Sequence, residues 1–459
     1  MASFPVSARG KASLFFSRGF DHKRNEALNM NYEEALHFIL DTPNPGAVWE
    51  RNVMENLLAK LGDPQEKVPH YVHVAGTNGK GSASAFMASV LRKAGYRTGL
   101  YTSPYIQRFN ERVQVDGVQI PDDELAEITT EIAAATDEIM AEGFRRPTIF
   151  ELITALGFMW FARTECDVAV LEVGMGGRLD ATNVIRTPDV ALIMNIGFDH
   201  MEFLGDTLEA IAGEKAGIIK PDGDVVVYGQ SESVEKVFAD VCEEKGSRMY
   251  RADSSLATIT SVGPEGTRFD YKDRKDLFIS LLGKYQIGNV TVAIEGCDVL
   301  RGKGFHITEE NLREGLAEAH WPGRMELLQK DPVVIVDGAH NPQGVEALCE
   351  SLEQLFPGEK FTFVLGVLAD KDYSGDIAIA APYAKKFYTV TPPSYRALSG
   401  DALAEEIRKH ADVPVTACAD IPGALDTVLA EAEPDDRIVI FGSLYQECVV
   451  RAYFGRDTF

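Results

Sequence analysis

One stretch governs what this chain can become: His73-Val-Ala-Gly-Thr-Asn-Gly-Lys-Gly-Ser82. Val72, Val74 and Ala75 read as a buried strand that breaks at Gly76, and Phe86, Val90 and Leu91 then recur at helical spacing. Strand, glycine loop and helix in that order form a phosphate cradle. Backbone N–H groups at the helix N-terminus face an anion, and Lys80 adds a point charge. The general phosphate-loop pattern, Gly-x-x-x-x-Gly-Lys followed by Ser or Thr, is not met. Val74 stands at its first glycine and Gly81 follows the lysine, so Ser82 comes one place late. The competing reading is a glycine-rich turn that only tightens a strand–helix junction.

A chain of 459 residues suggests two or three domains, and 45% hydrophobic residues can supply their cores. No apolar run reaches the ~18 residues of a membrane span. Six cysteines (Cys166, Cys242, Cys297, Cys349, Cys418, Cys448) are scattered without Cys-x-x-Cys spacing, as expected of reduced structural thiols in a cytoplasmic protein. The formal net charge of −25 opposes nonspecific binding to nucleic acid or to anionic membranes. Anionic substrates would therefore need local cations inside the site.

Residues 1–29 carry Arg9, Lys11, Arg18, Lys23 and Arg24 against Asp21 and Glu26, and read as a disordered leader. An organelle transit peptide and an upstream extension of the reading frame both fit, with Met30 a plausible functional start. Beyond the cradle, strands are expected at Thr98–Thr102, Asp167–Glu172, Val190–Met194 and Val225–Val227. Helices are expected after Pro121, over Thr148–Phe161 and over Thr207–Ile218. Such alternation argues for a doubly wound, mostly parallel α/β sheet, whose ligands sit at the carboxyl ends of strands. From Leu256 to Ser280 short strands around Gly-Pro-Glu-Gly suggest an antiparallel flap. A helix is expected to follow Gly288-Asn289 and another to cover Thr308–Ala319. Trp321-Pro-Gly-Arg324 then breaks the chain as a hinge, and Val333–Asp337 opens a second, smaller α/β series. The expected domains are 30–319 and 320–459.

Several strand-end loops carry chemistry. Glu172 closes an apolar strand where a magnesium-binding carboxylate would stand, or is only a solvated acid. Gly174-Met-Gly-Gly-Arg-Leu-Asp-Ala-Thr-Asn183 lets backbone approach a ligand closely. His200, after another strand, is by itself more often structural than a ligand, and Lys215 on a helix would normally be a solvated surface group. Asp337-Gly-Ala-His-Asn-Pro342 is site-like, although turn-forming Asp-Gly and Asn-Pro explain part of it. Loops from two domains across a hinge imply a cleft that closes and excludes water.

Taken together, Gly76–Ser82, Thr102-Ser-Pro104, Glu172–Asn183, Asp199-His200, Glu214–Ile218, Trp321–Arg324 and Asp337–Pro342 resemble the folylpolyglutamate synthase/dihydrofolate synthase family of Mur-ligase-like enzymes. The resemblance runs from about Met30 to the C-terminus, and the late serine is what that family shows. It implies a phosphate-loop ATPase domain with a smaller Rossmann-like C-terminal glutamate ligase domain. The implied activity is an ATP-dependent amide ligase joining L-glutamate to dihydropteroate, or to the γ-carboxylate of a folate, through an acyl phosphate. By motif position Asn78, Gly79, Lys80, Gly81, Ser82, Asn289, Arg324 and Asp337 would contact ATP. Ser103 and Glu172 would hold one magnesium ion, and His200 with a carbamylated Lys215 a second. His340 would assist glutamate binding or amine attack. Phe150, Glu151, Leu179, Asp180 and Ala181 would form the pterin side. The implied partners are these small molecules, with the protein a monomer. A peptidoglycan Mur ligase fits less well, because about 40 residues before the phosphate loop are too few for a further domain of ~100. A nucleotide-binding switch of the phosphate-loop type remains the alternative of a different class.

Overall fold

The computed structural model describes residues 29–42 and 51–456. Residues 1–28, where the leader was expected, lie outside the described residues. Met30 leads into the helix Tyr32–Leu40, whose capping box is formed by Asn31 and Glu34.

The larger sheet has eight strands: β1 (His70–Ala75), β2 (Thr98–Tyr101), β3 (Val113–Val115), β4 (Val118–Gln119), β5 (Val168–Glu172), β6 (Val190–Ile193), β7 (Asp224–Tyr228) and β8 (Arg248–Ala252). Their order is β4-β3-β2-β5-β1-β6-β7-β8, parallel except where β3 pairs with β2 and β4. Interior strands here are continuous apolar runs because helices cover both faces. Every residue of β5 and of β6 is buried. From β1 the chain crosses to β2, returns to β5 and then passes to β6 on the far side of β1. The switch point therefore lies at the carboxyl ends of β1 and β5, the place where a doubly wound sheet takes its ligand.

A three-stranded antiparallel flap, β9 (Ala257–Gly263), β10 (Gly266–Tyr271) and β11 (Arg274–Ile279), follows as the sequence indicated. The helix expected after Gly288-Asn289 instead begins at Gln286 and runs to Gly302, so Asn289 sits in its first turn. The second sheet comprises β12 (Glu326–Lys330), β13 (Val333–Val336), β14 (Phe361–Leu365), β15 (Ala384–Thr389), β16 (Val415–Ala417) and β17 (Arg437–Phe441), in the order β12-β13-β17-β14-β15-β16. It is parallel except for the edge pair β12–β13.

Some elements have weaker sequence signals. β3 and β4 are three and two residues long, joined at Asp116-Gly117 with φ of 52° and 81°, which is the Asp-Gly hairpin signature on strands too short for a periodicity to register. β12, Glu-Leu-Leu-Gln-Lys, is polar because it is an edge.

Candidate active site

The phosphate loop is clamped from two directions. The Thr77 amide donates to the Asn195 carbonyl at 2.8 Å, and its hydroxyl donates to the Gly197 carbonyl at 3.1 Å, tying the loop to the segment after β6. Gly79, with φ of +86°, caps the helix Lys80–Lys93 without any side-chain hydrogen bond. The first amides of that helix are therefore left without a capping side chain, the arrangement that binds an anion. A Cβ at Gly79 would lie 2.2 Å from Asn289 Oδ1, and one at Gly81 would lie 2.4 Å from the Trp321 ring. Asn289 and Trp321 thus press directly on the loop. Ser82 is buried, and its hydroxyl accepts from Gln286 Nε2 at 3.2 Å.

Two lysines and a glutamate converge at the loop's start. Lys80 Nζ folds back to donate to the carbonyls of Gly76 and Thr77, both at 3.1 Å. Lys215, the last residue of the helix Leu208–Lys215, is only 4% exposed and donates from Nζ to the same Gly76 carbonyl at 2.9 Å. It is not the solvated surface lysine that helix position alone would suggest. Burial, and next the neighbouring Lys80, push its pKa down to about 7. Glu172, at the end of β5 and paired in register with Val74, is buried and accepts from the Ser103 amide at 3.2 Å. Burial raises its pKa against the opposing pull of Lys80, the Ser103 amide, Arg324 and Arg112. His200 has φ of +48° and precedes the short helix Met201–Leu204, with Nε2 3.7 Å from Asp199 Oδ2. Burial lowers its pKa. Lys80, His200 and Lys215 line one small cavity together with Gly76, Gly176 and Asp199.

Among the described residues no group of three or more His, Cys, Asp or Glu is placed to hold a metal ion unaided. That donor set still fits magnesium in a triphosphate site, where the ion takes one or two carboxylates and completes its shell from phosphates and water. Glu172 supplies a carboxylate of that kind. As an amine, Lys215 is no oxygen ligand; as a carbamate it would be.

The second sheet contributes the facing wall. Asp337 follows β13; its carboxylate accepts from the Ala339 amide at 2.8 Å, the Met325 amide at 2.8 Å and the Tyr285 hydroxyl at 3.1 Å. Arg324 donates to the Gly323 carbonyl at 2.9 Å and stands 3.9 Å from the buried Glu447 carboxylate. His340 Nδ1 lies 2.7 Å from the Gly338 carbonyl, so Nδ1 carries the proton and Nε2 is the free acceptor; burial lowers its pKa. Further contacts cross between the loops of the two sheets. Asn78 Nδ2 donates to Gln343 Oε1 at 2.7 Å, and Lys371 Nζ lies 3.7 Å from Asp199. Gln343, Lys371, Tyr285 and Glu447 were not singled out by motif, since only the folded chain brings them to the loop, whereas Asp199 came with the Asp199-His200 motif.

On the expected pterin side, the Phe150 ring packs against Gly174 and edge-on to Tyr101, at 6.0 Å between centroids. Leu179 is partly buried, and Ala181 packs against the core behind it. The two acids there are engaged by the protein itself. Glu151 pairs with Arg145 through both oxygens at 2.8 Å and accepts from the Thr148 amide. Asp180 accepts from the amides of Gly174, Met175 and Thr182 and from the Thr182 hydroxyl.

Residues 74–296 match the Mur ligase middle domain family, and residues 323–444 match the Mur ligase glutamate ligase domain family. The chain is 38% identical to a folylpolyglutamate synthase of Lacticaseibacillus casei over 433 residues, covering 92% of this chain and 98% of that one. It is 36% identical to a dihydrofolate synthase/folylpolyglutamate synthase of Bacillus subtilis over 400 residues, 85% of this chain and 92% of that one. A solved FPGS–AMPPCP–folate complex superposes with a TM-score of 0.80 at 36% identity, covering 92% of this chain and 99% of that one.

Proposed function

The chain belongs to the folylpolyglutamate synthase/dihydrofolate synthase family of ATP-dependent glutamate ligases, and from that premise we propose which of its residues carry the reaction. The substrates are ATP, L-glutamate, and either dihydropteroate or a folate presenting its γ-carboxylate. A carboxylate is a poor electrophile. One of its oxygens attacks the γ-phosphorus, ADP leaves, and the resulting acyl phosphate is attacked by the glutamate amine, with loss of phosphate and a proton.

The observation that carries this assignment is the convergence at Gly76: an uncapped helix N-terminus, two lysines on one carbonyl, and a buried glutamate at the neighbouring strand end. Amides of Asn78 to Ser82 hold the triphosphate. Lys80 exchanges its carbonyl partners for phosphate oxygens, so its charge follows the phosphoryl group as it moves. Asn289, Arg324 and Asp337 seat the nucleoside between the two sheets. In this role Asp337 acts chiefly by shaping the loop, because protein donors already engage both of its oxygens. Ser103 and Glu172 would hold one magnesium ion, and His200 and Lys215 a second, supplying charge neutralisation of the triphosphate. A pKa near 7 leaves much of Lys215 as free amine at neutral pH, the form that adds CO2 to become a carbamate oxygen ligand. His340, with Nε2 unprotonated, takes the proton from the attacking amine. Phe150, Glu151 and the segment Leu179 to Ala181 shape the acid's aromatic end.

Both walls of the cleft come from one chain, so one copy completes the site, and the protein acts as a monomer with domains 30–319 and 320–459. No helix among the described residues is long and apolar enough to cross a membrane, and the six cysteines are free. A reducing cytoplasmic location accords with both. The test follows ADP release and product mass with glutamate, dihydropteroate and tetrahydrofolate, each omitted in turn. Hydrolysis of ATP that ignored both the acid and glutamate would refute the assignment.

A further inference from the structure

Glu447 is a buried carboxylate that no hydrogen bond accounts for. It lies in the first turn of the helix Leu444–Tyr453, is fully shielded from solvent, and neither of its oxygens accepts a hydrogen bond from a described residue. An acid at that end of a helix can serve as its cap, but Ser443 already fills that role, its hydroxyl accepting from the Tyr445 amide at 3.2 Å. An isolated buried charge is costly, so a nearby cation has to account for it. The cation at hand is Arg324, whose Nη1 stands 3.9 Å from Glu447 Oε1.

The surrounding charges are otherwise claimed. Arg451, one turn further along the same helix, is paired with Glu326. Asp337 is held by the Met325 and Ala339 amides and the Tyr285 hydroxyl. Two glycines make room for the remaining pair. A Cβ at Gly323 would lie 1.9 Å from Glu447 Oε2, and one at Gly338 would lie 2.0 Å from Arg324 Nη1 and 2.7 Å from Glu447 Oε1. The Gly323 carbonyl accepts from the Gly338 amide and from Arg324 Nη1, both at 2.9 Å, which ties the two loops together around the pair. Burial works against the Arg324 guanidinium, and Glu447 leads the charges, with Asp337, Tyr285 and Glu172, that outweigh it and raise its pKa. Burial pushes the Glu447 carboxyl up; Arg324 and Arg451 pull it back, while Asp337 and Glu326 add to the rise. A carboxylate held at 3.9 Å balances the guanidinium without occupying its N–H groups, and these stay available to the nucleotide.

We propose that Glu447 is a positioning residue for the nucleotide: as the buried counter-charge of Arg324, it keeps that guanidinium directed at ATP. The inference rests on the ligase reading above, in which Arg324 contacts ATP, and adds the group that holds Arg324 there. Glu447 itself touches no substrate, being sealed behind Gly323 and Gly338.

The test measures AMPPCP binding by titration calorimetry and unfolding in urea for wild type, Glu447→Gln, Arg324→Met and the double variant. Steady-state kinetics give KM for ATP, the acid and glutamate. Glu447→Gln keeps the volume and removes the charge. It is expected to weaken AMPPCP binding and raise KM for ATP by about 5- to 30-fold, with KM for the acid and for glutamate unchanged. Its urea midpoint should be level or higher, since a buried charge has gone. In the Arg324→Met background the same change should have no further effect on AMPPCP. Unchanged or tighter AMPPCP binding by Glu447→Gln overturns the proposal. So does a fall in midpoint alongside the weaker binding, the mark of a merely structural role, or an equal loss in the Arg324→Met background. Where Arg324→Met alone unfolds because its glutamate is left unpaired, the double variant should fold again; a double variant equally unfolded overturns the pairing. Arg324→Met that bound AMPPCP as wild type does would remove Arg324 from the nucleotide site, and the proposal with it. Wild type that released ADP without regard to acid or glutamate would remove the ligase reading alone, and the AMPPCP affinities would still decide for Glu447.

Discussion

Replacing Lys215 by methionine separates what this residue does for the reaction from what it does to the fold. Its amine is 4% exposed and lowered from 10.5 to about 7. In the folded chain it therefore holds its proton less tightly than when unfolded, and between pH 7 and 10.5 the unfolded chain carries more protons. Stability consequently rises with pH across that window. A lowering from 10.5 to about 7 corresponds to at most about 5 kcal/mol of destabilisation, fully present below pH 7 and relieved as pH passes 10.5. Against it stands one hydrogen bond, Nζ to the Gly76 carbonyl at 2.9 Å, contributing about 1–2 kcal/mol. Lys215→Met lacks both terms and fills similar volume. In CO2-free buffer with chelator and no nucleotide, urea denaturation should find Lys215→Met more stable than wild type at pH 7, by several kcal/mol. That advantage should shrink steadily towards pH 10. The same variant should lose turnover, partly restored by a small carboxylate such as formate that can stand in for a carbamate. A stability difference independent of pH would mean that the amine titrates normally, and the case for a carbamate would fail with it.

Lys80→Ala should lower kcat by about 10²- to 10³-fold while leaving the denaturation midpoint nearly unmoved, and near-normal turnover would exclude the loop as the triphosphate seat. Asn78→Ala and Gln343→Ala remove the two ends of the 2.7 Å bond between the lobes. A double-mutant cycle in KM for ATP should give about 1 kcal/mol of coupling, whereas strict additivity would mean the pair does not meet during turnover. Asp180→Ala strips the acceptor from three amides and a hydroxyl, so it should cost roughly 2–4 kcal/mol of stability by urea denaturation. A stable Asp180→Ala that had merely lost acid binding would move Asp180 from scaffold to ligand contact.

What was legible in the sequence divides along a physical line. The phosphate loop, the buried strand ending at Glu172 and the Asp337–Pro342 loop are contiguous, and the period of the apolar residues beside them reports strand or helix directly. The state of a side chain is set by groups far along the chain. Lys215 meets Gly76 across 139 residues and Asn78 meets Gln343 across 265, so neither the buried amine nor the latch between lobes has a local signature. Asp180 and Glu151 show the converse. A carboxylate beside glycines reads equally well as a ligand contact or as the acceptor for nearby amides, and only the hydrogen bonds decide. Arg112 is the sharpest case, because Glu111 beside it looks in sequence like its partner. The fold turns that acid inward onto three amides and gives the cation no ion pair among the described residues. Motifs therefore locate the chemistry along the chain. Which charges are free to meet a substrate follows from which ones the backbone has already claimed.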